Sequence, residues 1–192
     1  MTSCSSLVEK YAATAPRGRA LELGAGRGRD SRYLARLGFR VLAIDKNSQP
    51  PPEETLKSHF ETLRQNFLEF NMGEARYQLI LAINSLHFYQ KEFPEMVERI
   101  KRALMPGGRL IMSLITRTVR QEKGKESDLH SYPPQFQPAT AAELVYVFSG
   151  FLIQHAKEVE DTDKPHSRVD FLHIHTILEF VADKNEKEGG KE

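Results

Sequence analysis

The chain has 192 residues, of which 40% are hydrophobic, a length that suffices for one domain with a sizeable core and is short for two. Its 27 basic and 26 acidic side chains leave a formal net charge of +1, which gives no broad positive field for a nucleic acid. Cys4 is the single cysteine, so an intrachain disulfide is excluded. Residues 1–10 are polar without a signal-peptide core, and the longest apolar runs have the length of a strand. We therefore expect a cytoplasmic protein that binds neither nucleic acid nor membranes; the composition leaves its oligomeric state open.

Hydrophobic periodicity predicts an alternation of helices and strands along the first 115 residues. In chain order these are a helix at 5–14, a strand at 19–23, a helix at 29–37, a strand at 40–44, a short helix after Pro52, a strand at 60–64, a strand at 77–83, a helix at 91–103 and a strand at 109–115. Gly107 and Gly108 are expected to end the last helix before that strand. Alternating units of this kind predict an α/β fold, a doubly wound parallel sheet between two helical layers.

The pattern changes after residue 115. Residues 116–137 have no sustained apolar period and are too long for an ordinary connection, which favours either a lid over a binding site or a solvated excursion. A helix at 139–149 and strands at 151–159 and 169–181 follow. We predict one domain over residues 1–182 and a charged, disordered tail at 183–192.

Glycines at alternate positions follow the first strand, at Gly24, Gly26 and Gly28. A strand that turns into a helix within four residues needs backbone angles that favour glycine, and a ligand lying on that turn needs the side-chain volume removed. A dinucleotide-binding fingerprint has glycines at its first, third and sixth positions. Counted from Gly24, the sixth residue of this chain is Arg29. The spacing therefore predicts a nucleotide site and disfavours a pyrophosphate-bearing cofactor such as NAD.

Asp45 ends the second predicted strand, next to the glycine loop. A carboxylate at this strand tip can accept hydrogen bonds from the two hydroxyls of a ribose. We expect it to be hydrated when no ligand is bound.

These motifs together resemble the class I S-adenosylmethionine-dependent methyltransferases. The resemblance rests on four separated segments in the expected order, which are Leu21 to Gly28, Asp45, Tyr77 to Ile83, and Met105 to Leu110. A narrower similarity, to the small tellurite-resistance-type branch, rests on Gly26 to Leu34 with Gly38 and Asp45-Lys46-Asn47. The resemblance implies a Rossmann-like sheet of about seven strands with the last one antiparallel, S-adenosylmethionine as cofactor, and a small-molecule methyl acceptor.

The resemblance also implies where the cofactor lies, across the strand ends between strands one and four. The residues expected to bind it are Glu22, Gly24, Ala25, Gly26, Asp45, Lys46, Asn66, Phe67 and Asn84. Asn66 stands where the family often has Asp. An amide can both accept from and donate to an adenine edge, so the expected role is retained.

The residues after the fourth strand bear on the methyl acceptor. They run from Asn84 to Phe88 and lack the Asn-Pro-Pro-aromatic signature of the family's amino-methylating members, which favours an oxygen, sulfur or heavier chalcogen acceptor. Within this run His87 is the candidate general base, because a neutral imidazole titrates near working pH. The alternative, which we favour, is a histidine packed under the methionine end of the cofactor. His130 and Tyr132, in the 116–137 segment, are the candidate acceptor-binding residues.

Two histidines near the C-terminus, His173 and His175, lie two apart on a predicted strand and project from one face, with His166, Asp161 and Asp163 just before them. A metal site there is conceivable, but histidines on a strand face are more common without a metal, so we expect none. A catalytically silent member of the fold, binding the cofactor or a partner protein, is the alternative to an active enzyme.

Overall fold

The computed structural model describes residues 4–47, 56, 58–89, 91–122, 125–131, 140–163 and 171–186. Within these ranges the helices are α1 (Ser6–Ala12), α2 (Arg29–Arg36), α3 (Phe93–Ala103) and α4 (Ala141–Val147). The strands are β1 (Arg19–Leu23), β2 (Arg40–Asp45), β3 (Phe60–Arg64), β4 (Tyr77–Ile83), β5 (Leu104–Glu122), β6 (Lys125–Ser131), β7 (Phe151–Asp163) and β8 (His173–Lys184). A short 3₁₀ turn, Leu86–Phe88, follows β4.

The main sheet has the strand order β3-β2-β1-β4-β5-β8-β7. Strands β1 to β5 pair in parallel, whereas β8 is antiparallel to both β5 and β7. This order confirms the expected Rossmann-like methyltransferase fold with an antiparallel last strand. Because the order reverses between β1 and β4, a crevice opens at the carboxyl ends of these two strands.

Two hydrophobic clusters cover opposite faces of the sheet and confirm the three-layer arrangement. One contains Val8 of α1 and Leu34 of α2, and the other contains Ile100 of α3 and Leu144 of α4; all four side chains are fully buried. None of the helices in the described ranges is long and apolar enough to cross a membrane.

Strand β5 is longer at its start than predicted, beginning at Leu104 instead of residue 109. Tyr77 pairs with Leu104 and Leu79 pairs with Arg109, so residues 105–108 form an irregularity within the strand. Gly107 has φ of +72° there. The Pro-Gly-Gly segment therefore bends the start of β5 and does not separate it from the helix.

The prediction of an irregular loop from residue 116 is wrong for residues 116–131. Strand β5 continues to Glu122 and pairs with β6 in an antiparallel hairpin, while its other edge pairs with β8 as far as Arg120. Residues 117–120 pair with β6 at one edge and with β8 at the other, so backbone hydrogen bonds hold them in a strand without an apolar period. Residues 132–139 lie outside the described residues.

The chain end also differs from the prediction. Strand β8 runs to Lys184, so the boundary expected at residue 183 falls inside it. The Arg109 guanidinium holds Asp183 through two hydrogen bonds of 2.6 and 2.8 Å. The rest of the predicted tail, residues 187–192, lies outside the described residues, as do the predicted helix after Pro52 and the first residues of the strand predicted from 169. The division into one domain and a tail stays a prediction.

Candidate active site

The glycine loop after β1 is anchored to β2 through its backbone. The N–H groups of Gly24 and Ala25 both donate to the carbonyl oxygen of Ile44, at 2.8 and 3.0 Å. Gly24 has φ of +77° and Gly26 has φ of +53°, angles that favour glycine. A Cβ at Gly24 would lie 2.5 Å from the Cβ of Ser85, whereas a Cβ at Gly26 would meet nothing within 4 Å. Gly24 thus permits close packing, and Gly26 leaves open space above the loop.

Asp45 is tied to the glycine loop. Its Oδ2 accepts a hydrogen bond from the Gly26 N–H at 2.8 Å, and its Oδ1 accepts one from the Asn47 N–H at 2.7 Å. The expectation that this carboxylate is only hydrated without ligand is therefore wrong. A carboxylate oxygen has two lone pairs, so both oxygens keep acceptor capacity for a ribose.

Next to this carboxylate lies a cavity of about 220 Å³, the first cleft. Its walls are Gly24, Asp45, Lys46, Asn47, Phe67, Asn84, Ser85, Phe88 and Tyr89. The rings of Phe67 and Tyr89 meet edge to face with centroids 5.1 Å apart, and the Lys46 ammonium lies 5.3 Å from the Tyr89 centroid. The cleft therefore combines a carboxylate, an aromatic wall and a cation.

On the other side of Gly24 and Asn84 lies a larger cavity of about 400 Å³, the second cleft. It is lined by Glu22, Gly24, Ala25, Arg27, Arg29, Asp30, Arg32, Ile83 and Asn84. Asn84, shared by both clefts, has φ of +46°, and its side-chain oxygen accepts from the Ser113 hydroxyl at 2.7 Å. This bond fixes the amide at the junction of the two clefts.

Glu22 is buried at the base of the second cleft, only 3% exposed, and its Oε2 accepts a hydrogen bond from the Ser31 hydroxyl. Burial, and after it the nearby carboxylate of Asp30, raise the pKa of Glu22 to about 8. At neutral pH this side chain is therefore mostly uncharged.

The second cleft has a positive balance at pH 7. Asp30 is buried and pairs with Arg29 at 3.2 Å, which offsets one carboxylate with one guanidinium. Arg27 and Arg32 add two further positive charges, and Arg32 donates to the Arg27 carbonyl oxygen at 2.7 Å. With Glu22 neutral, the cleft favours a ligand that carries an anionic group.

Most of the predicted cofactor residues lie at these two clefts. Glu22, Gly24, Ala25, Asp45, Lys46, Phe67 and Asn84 line one or both, and Gly26 contacts Asp45. Asn66 is not among the residues lining either cleft; its Oδ1 accepts from the Leu68 N–H at 3.3 Å and closes the turn that presents Phe67.

Of the three predicted acceptor-side residues, the structure describes the side chain of His87 only. His87 is 1% exposed and is not among the residues lining either cleft, and its ring packs on Phe88 at a centroid distance of 4.0 Å. The backbone of His130 pairs with Thr118 on the β5–β6 hairpin, and Tyr132 lies outside the described residues. Their roles stay predictions.

Residue-by-residue prediction from the sequence omitted Tyr89 and the three arginines. Tyr89 follows the 3₁₀ turn after β4 and carries no motif of its own. Arg27, Arg29 and Arg32 surround the start of α2, and their number in six residues was the available signal. Their common orientation toward one cleft depends on the folded loop.

The family model described as a methyltransferase domain matches residues 2–151. The chain belongs to this family, which confirms the expected membership of the class I S-adenosylmethionine-dependent methyltransferases. S-adenosylmethionine is the cofactor of that class. No curated protein sequence matches closely enough to count as a relative.

Solved structures share the fold. The 1,6-didemethyltoxoflavin N1-methyltransferase of Burkholderia thailandensis, solved with S-adenosylhomocysteine, is 22% identical, with a TM-score of 0.62 over 95% of this chain and 80% of its own. TehB from Haemophilus influenzae is 16% identical, with a TM-score of 0.68 over 96% of this chain and 64% of its own. The [4+2]-cyclase SpnF is 17% identical, with a TM-score of 0.65 over 94% of this chain and 79% of its own. At these identities the likeness establishes the fold alone.

Proposed function

We propose that this protein transfers a methyl group from S-adenosylmethionine to a small-molecule acceptor. The observation that carries the proposal is the pair of clefts that share Gly24 and Asn84 at the reversal of strand order. One ligand can extend through both clefts across this junction, with a nucleoside in the first and an amino-acid arm in the second.

The residues of the first cleft fit an adenosine group. Asp45 offers carboxylate oxygens to ribose hydroxyls, and the open space above Gly26 leaves room for a ligand against the loop backbone. Phe67 and Tyr89 provide the apolar, aromatic surface on which a purine ring packs. Lys46 and Asn47 complete the proposed polar rim. Asn66 is proposed to serve the adenine side from outside the lining, through the turn that presents Phe67.

The residues of the second cleft fit the methionine arm and an acceptor beside it. The excess positive charge of Arg27 and Arg32 suits a carboxylate. Glu22 and Asp30 offer acidic oxygens to an ammonium group, and an ammonium close to Glu22 would lower its pKa and favour its charged form.

When bound, S-adenosylmethionine supplies an electrophilic methyl group on a sulfonium. The work of the chain is then to orient the donor and acceptor at attack distance and to exclude water, which can contribute several kcal/mol to lowering the barrier. The rigid turn at Gly24, packed against Ser85, and the Asn84–Ser113 bond provide this fixed geometry.

The acceptor atom is proposed to be oxygen, sulfur or a heavier chalcogen, because the residues after β4 lack the amino-methylating signature. His130 and Tyr132 are proposed to contact the acceptor, and the segment from residue 116 is proposed to face it. His87 is proposed to support the site by packing, since its buried ring lies outside the lining of both clefts.

A catalytically silent member of the fold, binding the cofactor or a partner protein, is the second candidate. The same fold occurs in a protein named as a cyclase, so the fold alone does not require methyl transfer. Calorimetric titration with S-adenosylhomocysteine and, separately, with NAD tests binding, and we expect heat only from the former. Incubation with S-adenosylmethionine and a thiol, a phenol and a selenol, followed by mass spectrometry, tests transfer. Binding without any methylated product would favour the silent protein, and tight NAD binding without S-adenosylhomocysteine binding would contradict both.

A further inference from the structure

The ends of β7 and β8 place two imidazoles against one carboxylate. The Nε2 atoms of His173 and His175 each lie 3.6 Å from Oδ2 of Asp163. One possible ligand atom from each of the three residues lies within 4.8 Å of the others. We propose that Asp163, His173 and His175 bind one divalent transition-metal ion, with Zn²⁺ the ion that best suits this set.

The orientation of the rings supports a metal. The Nδ1 of His173 lies 3.2 Å from the carbonyl oxygen of Phe171, which can only accept, so Nδ1 carries a hydrogen. In the neutral ring, Nε2 then presents a lone pair toward the oxygen of Asp163, and a cation between the two would relieve this contact. Such backbone-oriented imidazoles are typical of metal ligands.

His175 is held at the same ring atom by a hydroxyl instead of a carbonyl. Its Nδ1 lies 2.8 Å from the Thr118 hydroxyl of β5. Each imidazole is thus fixed by Nδ1, with Nε2 toward the carboxylate.

The distances between the possible ligand atoms are close to those between the ligands of a bound zinc ion. Tetrahedral zinc with bonds of about 2.0–2.1 Å separates its ligand atoms by roughly 3.3 Å. The imidazole–carboxylate separations of 3.6 Å are already near this value. No two of the three ligand atoms lie more than 4.8 Å apart, so the largest approach that a bound ion requires is about 1.5 Å. Rotation of the imidazole rings and of the half-exposed Asp163 side chain can provide it.

The surrounding charge also favours a cation. Asp161 pairs with His175 across the strands and Asp163 pairs with His173, which gives two carboxylates on this face. Arg120 of β5 pairs with His173 and brings one positive charge near these carboxylates. Its guanidinium stacks on Phe171, 4.4 Å from the ring centroid. Among these described charges, the two carboxylates outweigh the one guanidinium.

The proposed metal site is separate from the clefts. Thr118 lies five residues along β5 from Ser113, which corresponds to roughly 17 Å of extended strand. Metal binding can therefore be measured without S-adenosylmethionine, and failure of this proposal would leave the proposed methyl transfer untouched. An ion here would join the end of β7 to the start of β8.

The test is titration with Zn²⁺, and with Co²⁺ followed by visible absorption, on untagged full-length protein carrying Cys4→Ser to remove the thiol. We expect one ion per chain, and a loss of affinity of about a hundredfold or more in Asp163→Asn and His175→Ala. Thr118→Val should weaken binding by about tenfold, through the orientation of His175. Asp163 is half-exposed at a strand end, so its variant tests the site even where His175→Ala unfolds.

His155→Gln is the matched control. His155 contacts Glu179 at 3.0 Å between the same two strands but lacks a second imidazole, so this variant should bind as the parent does. Absence of Zn²⁺ binding by the parent, or equal affinity in Asp163→Asn and His155→Gln, would overturn the proposal and leave an ordinary imidazole–carboxylate cluster.

Discussion

The Asp45 carboxylate accepts a hydrogen bond of 2.8 Å from the Gly26 N–H. The residue proposed to hold the ribose therefore also holds the loop that the ligand would cover. Because Asp45 ends β2 and Gly26 follows β1, the bond links the two strands at the crevice. If Asp45 holds the ribose as proposed, this one side chain couples cofactor binding to the order of the loop.

We predict that Asp45→Ala lowers the affinity for S-adenosylhomocysteine by about ten- to a hundredfold, since charge-assisted hydrogen bonds contribute roughly 1.5–3 kcal/mol each. The free energy of unfolding of the ligand-free protein should also fall, by about 1 kcal/mol, through loss of the bonds to Gly26 and Asn47. Calorimetry and urea denaturation measure the two effects. Glu61→Gln, an exposed carboxylate on β3, is the control, and unchanged binding in Asp45→Ala would exclude it as the ribose ligand.

Alanine substitutions at Gly24 and Gly26 should differ in effect: the first should mainly reduce stability, and the second should mainly reduce ligand affinity. At Gly24 the new Cβ would lie 2.5 Å from the Ser85 Cβ, so we predict a loss of about 3 kcal/mol or more in unfolding free energy. At Gly26 the Cβ has open space, and only the left-handed backbone costs about 1 kcal/mol.

The Gly26→Ala protein should remain folded but bind S-adenosylhomocysteine at least about tenfold more weakly, because the methyl group occupies the space proposed for the ligand. Thermal melts measure the stability of both variants, and titrations measure their affinity for S-adenosylhomocysteine. Equal destabilisation by the two substitutions, with unchanged binding in Gly26→Ala, would contradict the assignment of their roles.

Glu22 should make stability depend on pH. Its pKa is about 8 in the folded protein and ordinarily 4.5, so the folded state keeps a proton that the unfolded state loses. The stability that this proton contributes is fully present below pH 4.5 and is lost as the pH rises to about 8, by up to about 1.4 kcal/mol per pH unit.

Glu22→Gln removes this titration and can retain a hydrogen bond with Ser31. We predict that the stability of the wild-type protein relative to this variant declines between pH 5 and pH 8. Urea denaturation at several pH values measures the difference between the two proteins. A constant difference over this range would mean that Glu22 titrates normally.

The sequence predicted strands β1 to β4 and helix α2 within one residue. Glycines flank β1 and α2, and β4 is a nearly continuous apolar run, whereas β3 has a weaker pattern. The sequence also located most of the first cleft, since the ligand-facing residues follow strand ends in a known order. The hairpin was missed because residues 116–122 are polar except for Val119, and their strand conformation depends on pairing with β6 and β8.

Other features depend on contacts between distant segments and could not be predicted. The imidazoles of His173 and His175 were expected on one face, but their approach to Asp163 depends on the register between β7 and β8. The neutral state of Glu22 depends on its burial beneath α2.

The ion pair between Arg109 and Asp183 lies away from both clefts, and we expect it to stabilise the fold. The buried guanidinium of Arg109 donates to both carboxylate oxygens of Asp183, to the Tyr11 carbonyl oxygen and to the Thr14 hydroxyl. It therefore joins β5 to β8, to α1 and to the chain just after α1. Among the described side chains, Arg109→Met leaves the Asp183 carboxylate, 18% exposed, with Gln154 as its neutral donor. We predict a loss of about 3–5 kcal/mol in unfolding free energy, the usual effect of breaking a buried ion pair.

Replacing both partners, as Arg109→Met with Asp183→Asn, removes the unpaired charge and should recover part of that loss. A double-mutant cycle by urea denaturation measures the coupling, and the titration with S-adenosylhomocysteine should be unaffected wherever the variants are folded. A loss below about 1 kcal/mol in Arg109→Met would show that the pair behaves as a solvent-screened surface pair. The anchoring of α1 by β5 would then have to come from Leu7 and Val8, which are buried against the sheet.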